Sequence, residues 1–253
     1  MLDAVEPHIF SLRIASDAES HLGPATLDSL RAAVVEATAD DRVRVILVEG
    51  GARHFCSGAS RASLLATGAG NAIANYALEV PRLVLSLPVP TVAVMQGHAI
   101  GGGLALGLWC DVAVLAEESL YGANFMALGF TPGMGSTVVV EDTFGAVAAR
   151  DLLLSGRLVK GRELATSGAA VLGLVRPRAE VRDEALRVSR RWAANDRRAL
   201  MLLKRTLAGR RRERFERAAT EEALMHATLF EDPQTRARIA AEHAQTAVDR
   251  DGQ

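Results

Sequence analysis

A chain of 253 residues, 49% apolar and 23% charged with a formal net charge of −1, has the length for a sizeable core and no global field favouring nucleic acid. Its two cysteines, Cys56 and Cys110, form neither a Cys-x-x-Cys pair nor a metal-like Cys/His cluster. No stretch reaches the ~20 apolar residues of a membrane span. Residues 1–13 lack the basic start and long apolar run of a secretory leader, so a soluble cytoplasmic protein is expected.

Residues 8–14 read as a first strand. Pro24 then opens an amphipathic helix to about residue 39, because the fixed φ of proline suits a first helical turn. The β-branched run 43–48 reads as a core strand. Residues 65–72 hold two glycines and no periodicity, as a mobile loop or frayed helix start would. Residues 73–87 look helical, with Pro81 expected to bend or divide the helix. A strand over 91–94, a helix over 101–108, a buried strand over 112–115 and a short strand near Leu120 and Tyr121 follow. Beyond a turn at 131–136, nearly everything to residue 246 reads as helix, broken near Gly156, Gly173, Pro177, Gly209 and Pro233, and residues 247–253 are expected to fray. Strand–helix alternation followed by a run of helices gives an α/β class, a parallel sheet with a helical C-terminal extension.

Two glycine-bearing segments carry the chemistry. His54-Phe55-Cys56-Ser57-Gly58-Ala59-Ser60 follows the strand 43–48, and Met95-Gln96-Gly97-His98-Ala99-Ile100-Gly101-Gly102-Gly103-Leu104-Ala105 follows the strand 91–94. Glycine lets the main chain approach a ligand, since no Cβ intervenes. Two such turns at neighbouring strand ends can aim two backbone N–H groups at one oxygen. That is an oxyanion hole, suited to an intermediate with negative charge on a thioester oxygen.

These segments, together with Cys110-Asp111 and Thr131-Pro132-Gly133-Met134-Gly135, resemble the crotonase (enoyl-CoA hydratase/isomerase) superfamily over residues 8–239. The resemblance implies a spiral of ββα units over residues 1–195, a helical trimerising region over 196–253, and an acyl-thioester substrate. It implies that the main-chain N–H groups of Ala59 and Gly102 are the oxyanion donors, with Gly101 beside them in the binding turn. Gly102 also opens a helix, whose N-terminal dipole favours an enolate oxygen. A homotrimer or dimer of trimers is the implied assembly.

Departures from that family's pattern narrow the chemistry. A hydratase of the family uses two glutamates to position a water and move its protons; the matching positions here are Ala105 and Phe125. Neither is a general acid or base, so water addition by that route is not expected. The run from Tyr121 to Gly135 resembles instead the decarboxylating crotonases of polyketide β-branching. These remove a terminal carboxylate from a 3-methylglutaconyl-type group on an acyl carrier protein.

By that resemblance His226 matches a catalytic histidine, able to hydrogen-bond the departing carboxylate and return a proton to carbon. Phe125 and Met126 are expected to give an apolar lining that desolvates the carboxylate. The lysine this branch places after the first turn is missing; Ala69 stands near its position, and residues 66–80 hold no lysine or arginine. Arg61 or Arg82 could bind a carboxylate in bidentate fashion, and Tyr76 could donate to it. Residues 204–217 hold six arginines and one lysine against two glutamates, a solvated face or a docking site for an acidic carrier protein or a CoA phosphate. No metal or redox cofactor is expected. Three readings stay open: a decarboxylase, a double-bond isomerase of the same fold, and a catalytically silent carrier-binding protein.

Overall fold

The apolar runs form a sheet buried on both faces. A computed structural model describes residues 1–14, 20–66, 72–166, 174–229 and 232–248. Strands β1 (Asp3–Glu6), β2 (Ile9–Arg13), β4 (Val45–Glu49), β7 (Thr91–Met95), β9 (Val112–Ala116) and β12 (Val175–Arg176) make a six-stranded sheet in the order β1-β2-β4-β7-β9-β12. Every neighbouring pair is parallel except β1–β2. Alternation then decides what each side chain meets. Val45 and Leu47 of β4 and Val92 and Val94 of β7 pack on α8 (Val181–Ala193), through Val181, Ala185 and Val188. Ile46, Val48, Ala93 and Met95 point the other way, into the main core.

The second strand of each pair leaves this sheet. Strands β5 (His54–Cys56), β8 (His98–Ile100), β10 (Leu120–Gly122) and β11 (Val159–Lys160) form a four-stranded sheet in the order β11-β10-β8-β5. Consecutive units β4/β5, β7/β8 and β9/β10 thus each give one strand to either sheet, which winds the chain as a spiral. Tyr121, fully buried on β10, ties the sheets together: its hydroxyl donates to Met95 O at 2.5 Å and accepts from Ala116 N–H at 2.7 Å. A parallel pair, β3 (His21–Leu22) with β6 (Gly58–Ala59), closes the edge near the first glycine turn.

Helix α1 (Pro24–Ala39) begins at the proline, as expected. Helix α3 (Ala72–Ser86) runs unbroken through Pro81. Proline there removes one backbone hydrogen bond, and the burial of Val80, Val84 and Leu85 in the core holds the helix together. Of residues 65–72, expected as a mobile loop or frayed helix start, Leu65 and Ala66 end helix α2 (Arg61–Ala66) and Ala72 begins α3, while 67–71 lie outside the described residues.

After α4 (Gly102–Trp109), the chain continues through α5 (Ser136–Phe144), α6 (Ala146–Ser155), α7 (Gly161–Thr166), α8, α9 (Arg197–Leu229) and α10 (Pro233–Val248). The breaks at Gly156, Pro177 and Pro233 are present, while Gly173 and residues 249–253 lie outside the described residues. Gly209 breaks nothing. It sits inside the 33-residue α9, open to solvent with nothing within 4 Å of where a Cβ would stand. A lone glycine costs a helix only about 1 kcal/mol, which the rest of so long a helix offsets.

Buried polar contacts fix α9. Lys204, 3% exposed, donates to both oxygens of Asp111 at 2.8 and 2.7 Å, and Asp111 also accepts from the Thr91 N–H and hydroxyl. Arg211 donates to the carbonyls of Leu108, Trp109 and Cys110, the orphan acceptors at the end of α4. Most of the basic run 204–217 is therefore engaged within the protein, since Arg212 also meets Ser86, Arg214 meets Asp142 and Arg217 meets Glu221.

Candidate active site

A small cleft opens between the two glycine turns and α9. One wall is backbone. Gly58 and Ala59 lie in β6, and Gly102 begins α4, so its N–H has no acceptor inside the helix. The turns pack closely, since a Cβ on Gly58 would stand 2.8 Å from the Ile100 carbonyl oxygen and 3.4 Å from Gly102 N. Gly101 has φ +57° and ψ −122°, a conformation that favours glycine. A Cβ on Gly102 would meet Met134 Sδ at 2.6 Å and Leu22 Cδ1 at 2.9 Å, both cleft-lining residues. Behind the turn, a Cβ on Gly103 would lie 1.9 Å from the Cys56 carbonyl oxygen. At Gly58, Gly102 and Gly103 no side chain has room.

The opposite wall comes from the 131–135 turn and α9. His226 Nε2 lies 2.8 Å from the Thr131 carbonyl oxygen. A carbonyl only accepts, so the neutral imidazole carries its proton on Nε2. Burial pushes the His226 pKa below its ordinary value, and the backbone carbonyls of Thr131 and Pro132 oppose that shift. Glycine at 133 makes room for the ring, since a Cβ there would meet His226 Cε1 at 2.8 Å. Phe130 packs edge-on to both Phe125 and His226.

Glu222, one helical turn before His226, holds the turn in place. Its carboxylate accepts from Gly135 N–H at 2.8 Å, Thr137 N–H at 3.0 Å and the Thr137 hydroxyl at 2.7 Å, capping the N-terminus of α5 from a distant helix. Burial pushes its pKa up, opposed by these three donors. Trp109 donates to Met134 O at 2.7 Å from below. His98, on β8, ties the second turn's strand to β10: its Nδ1 accepts from Leu120 N–H at 2.9 Å, and burial, with repulsion from His54, Arg178 and Arg53, lowers its pKa to about 4.

Among the expected site residues, Ala59, Gly101, Gly102, Phe125 and His226 line the cleft together. Met126 does not. The chain reverses just after Asn124, where Leu128 N–H bonds to Asn124 O and Phe130 N–H to Phe125 O, so Phe125 and Phe130 turn inward while Met126 is 41% exposed. Arg82 is also elsewhere, held by Glu216 through two hydrogen bonds of 2.8 and 2.6 Å. The side chains of Arg61 and Tyr76, and all of Ala69, lie outside the described residues. Ala105 is fully enclosed on α4 and outside the lining. Missed as lining residues were Leu22, Ser57, Ser63, Leu64, Leu128, Phe130 and Asn124. Among the described residues lining the cleft there is no Asp, Glu, Lys or Arg. Nor do the described residues contain a cluster of three or more metal-ligating side chains, or a helix long and apolar enough to cross a membrane.

The spiral of two-sheet units and its paired glycine turns have counterparts among known proteins. The chain belongs to the enoyl-CoA hydratase/isomerase family, whose model matches residues 15–246. It is 34% identical over 199 residues to the bacillaene synthase decarboxylase PksI of Bacillus subtilis (strain 168), covering 78% of each chain. The crystal structure of the ECH2 decarboxylase domain of CurF from Lyngbya majuscula superposes with a TM-score of 0.88 at 28% identity, over 96% of this chain and 98% of that one. A structure from a dehydratase/decarboxylase enzyme couple involved in polyketide beta-branching gives a TM-score of 0.87 at 31% identity, over 95% and 97%.

Proposed function

We infer that the protein is a decarboxylase of polyketide β-branching, acting on a 3-methylglutaconyl-type thioester of an acyl carrier protein. The observation that carries this reading is the cleft itself. It sets a half-buried histidine opposite two glycine turns and, among its described lining residues, offers no carboxylate to activate water. Its similarity to PksI and to the CurF decarboxylase domain points the same way.

In this reading the thioester oxygen sits at the N–H groups of Ala59 and Gly102. The bond between the terminal carboxylate and its neighbouring carbon breaks, and the electron pair delocalises through the double bond onto that oxygen. Carbon dioxide leaves. Each preorganised amide donor is worth about 2.7–4 kcal/mol to such a dienolate, and Phe125, Phe130 and Leu128 keep water from the carboxylate before it departs. Burial favours the neutral form of His226 before substrate arrives, and the arriving carboxylate favours the protonated one. The imidazolium then gives that proton to carbon, so the carboxylate and one proton become product and CO2. No bound metal or redox group takes part in this sequence.

Assembly as a homotrimer or a dimer of trimers belongs to the same reading. Leu202, Leu203, Leu207 and Leu224 on α9, between 45% and 70% exposed, are the apolar surface it would cover.

The test is to incubate the protein with 3-methylglutaconyl-carrier protein and weigh the acyl group. Loss of one CO2 is expected. An unchanged mass with a displaced double bond assigns the isomerase instead, and an untouched acyl group leaves a carrier-binding protein.

A further inference from the structure

A substrate that ends in a carboxylate needs something in the cleft to recognise it, and among the described lining residues no cation does so. The polar side chains there are Ser57, Ser63, Asn124 and His226. Three of them already have partners. Ser63 exchanges a hydrogen bond with Ser60 at 2.9 Å, Ser57 is engaged as well, and His226 donates to Thr131. Asn124 is the exception, its carboxamide making no hydrogen bond among the described residues.

The position of Asn124 is as telling as its lack of a partner. It follows β10 directly, and its Oδ1 would lie 3.0 Å from a Cβ on Gly101, so the side chain rests against the residue preceding the Gly102 amide. Phe125 flanks the same spot, its ring 3.8 Å from that Cβ position. A half-buried amide in apolar surroundings, with two N–H donors and no charge, suits an anion that must be held and then released. Protonated His226 already supplies the one positive charge the inferred reaction requires, and a second cation would stabilise the carboxylate before reaction and oppose its departure as neutral CO2. A neutral donor orients it at lower cost to the barrier.

We propose that Asn124 is the carboxylate-recognising residue of this cleft, donating from Nδ2 to the terminal carboxylate of the acyl chain. The proposal rests on the function inferred above for the identity of that anion and deepens it by naming the group that selects it.

The test uses two probes of one length: glutaryl-pantetheine, whose saturated chain cannot delocalise the carbanion, and its ω-methyl ester. Their Kd values are measured by calorimetry on the full chain and on Asn124→Ala and Asn124→Asp. A hydrogen bond to a charged group predicts that Asn124→Ala weakens the acid about 10- to 100-fold and leaves the ester nearly unchanged. Asn124→Asp should weaken the acid further, by like-charge repulsion. Equal weakening of both ligands, no weakening of either, or a wild type that binds neither overturns the proposal. Should Asn124→Ala not fold, Asn124→Ser carries the same comparison with a shorter donor. The two readings fail separately. Asn124-dependent binding of the acid without loss of CO2 from 3-methylglutaconyl-carrier protein sinks the decarboxylase and keeps the recognition residue. Decarboxylation with acid binding indifferent to Asn124 does the reverse.

Discussion

The two walls of the cleft are built on opposite principles. On the glycine side, chemistry is offered by backbone, and what matters is that nothing projects: Gly58, Gly102 and Gly103 each face atoms at 1.9–2.8 Å from where a Cβ would stand. On the α9 side, chemistry is offered by a side chain, and what matters is that distant partners hold it: Glu222 on the 135–137 backbone, Lys204 on Asp111, Arg211 on the end of α4. The first wall breaks on addition of atoms, the second on their removal. Sterically saturated backbone leaves no room for compromise, whereas a tethered helix loses stability in instalments.

Substitutions can sharpen or break that contrast. The largest effect belongs to Gly103→Ala, whose Cβ would overlap a main-chain carbonyl and not a movable side chain. It should cost about 3 kcal/mol or more and show as lost soluble protein or a collapsed melting temperature. His226→Ala should lower kcat on the carrier-bound substrate about 10²- to 10⁴-fold with little change in KM, the loss typical of a proton-transfer group. Glu222→Ala leaves three donors at the head of α5 to water or to nothing. Urea titration should show about 2–3 kcal/mol of destabilisation, with activity falling as the turn beside His226 loosens.

The smallest effect is pH-dependent. His98 titrates near 4 when folded against an ordinary 6.5. Between those values the unfolded chain binds a proton that the native one refuses, so this residue subtracts stability as pH falls from about 6.5 to about 4, and none further below that. His98→Gln, which keeps an acceptor for Leu120 N–H, should flatten the melting-temperature profile in that window and leave it unchanged above pH 7. An equally steep profile would show that other groups govern acid sensitivity.

The same contrast governs what the amino-acid sequence discloses. Buried parallel strands announce themselves as apolar runs, so β4, β7 and β9 and the helix starting at Pro24 were legible, as were both glycine turns. Strand β1 was not, because its residues are exposed or half-exposed on the sheet edge and carry no burial signal. Gly209 misled because propensity is local while the hold on α9 is tertiary. Met126 was placed in the lining from its neighbours in sequence, but a turn after Asn124 reverses the chain and sends it outward. Glu222 gave no sign of its role, since nothing in a helical stretch says that a glutamate will cap a different helix 85 residues away. Asn124 was invisible for a chemical reason. An asparagine near a turn ordinarily bonds its own backbone, and only the cleft shows that this one does not.

Trp109 gives the molecule a reporter of its own. Its indole N–H is held by the carbonyl of Met134, a residue of the cleft wall, while its ring is fully enclosed against Phe215 with the Arg211 guanidinium above it. Only one other tryptophan, Trp192, is present, and it packs on the far side of the large sheet. With Trp192→Phe in place, emission from a single chromophore would register a ligand pressing on Met134. Occupancy of the cleft then becomes visible as a change of colour and intensity in unlabelled protein.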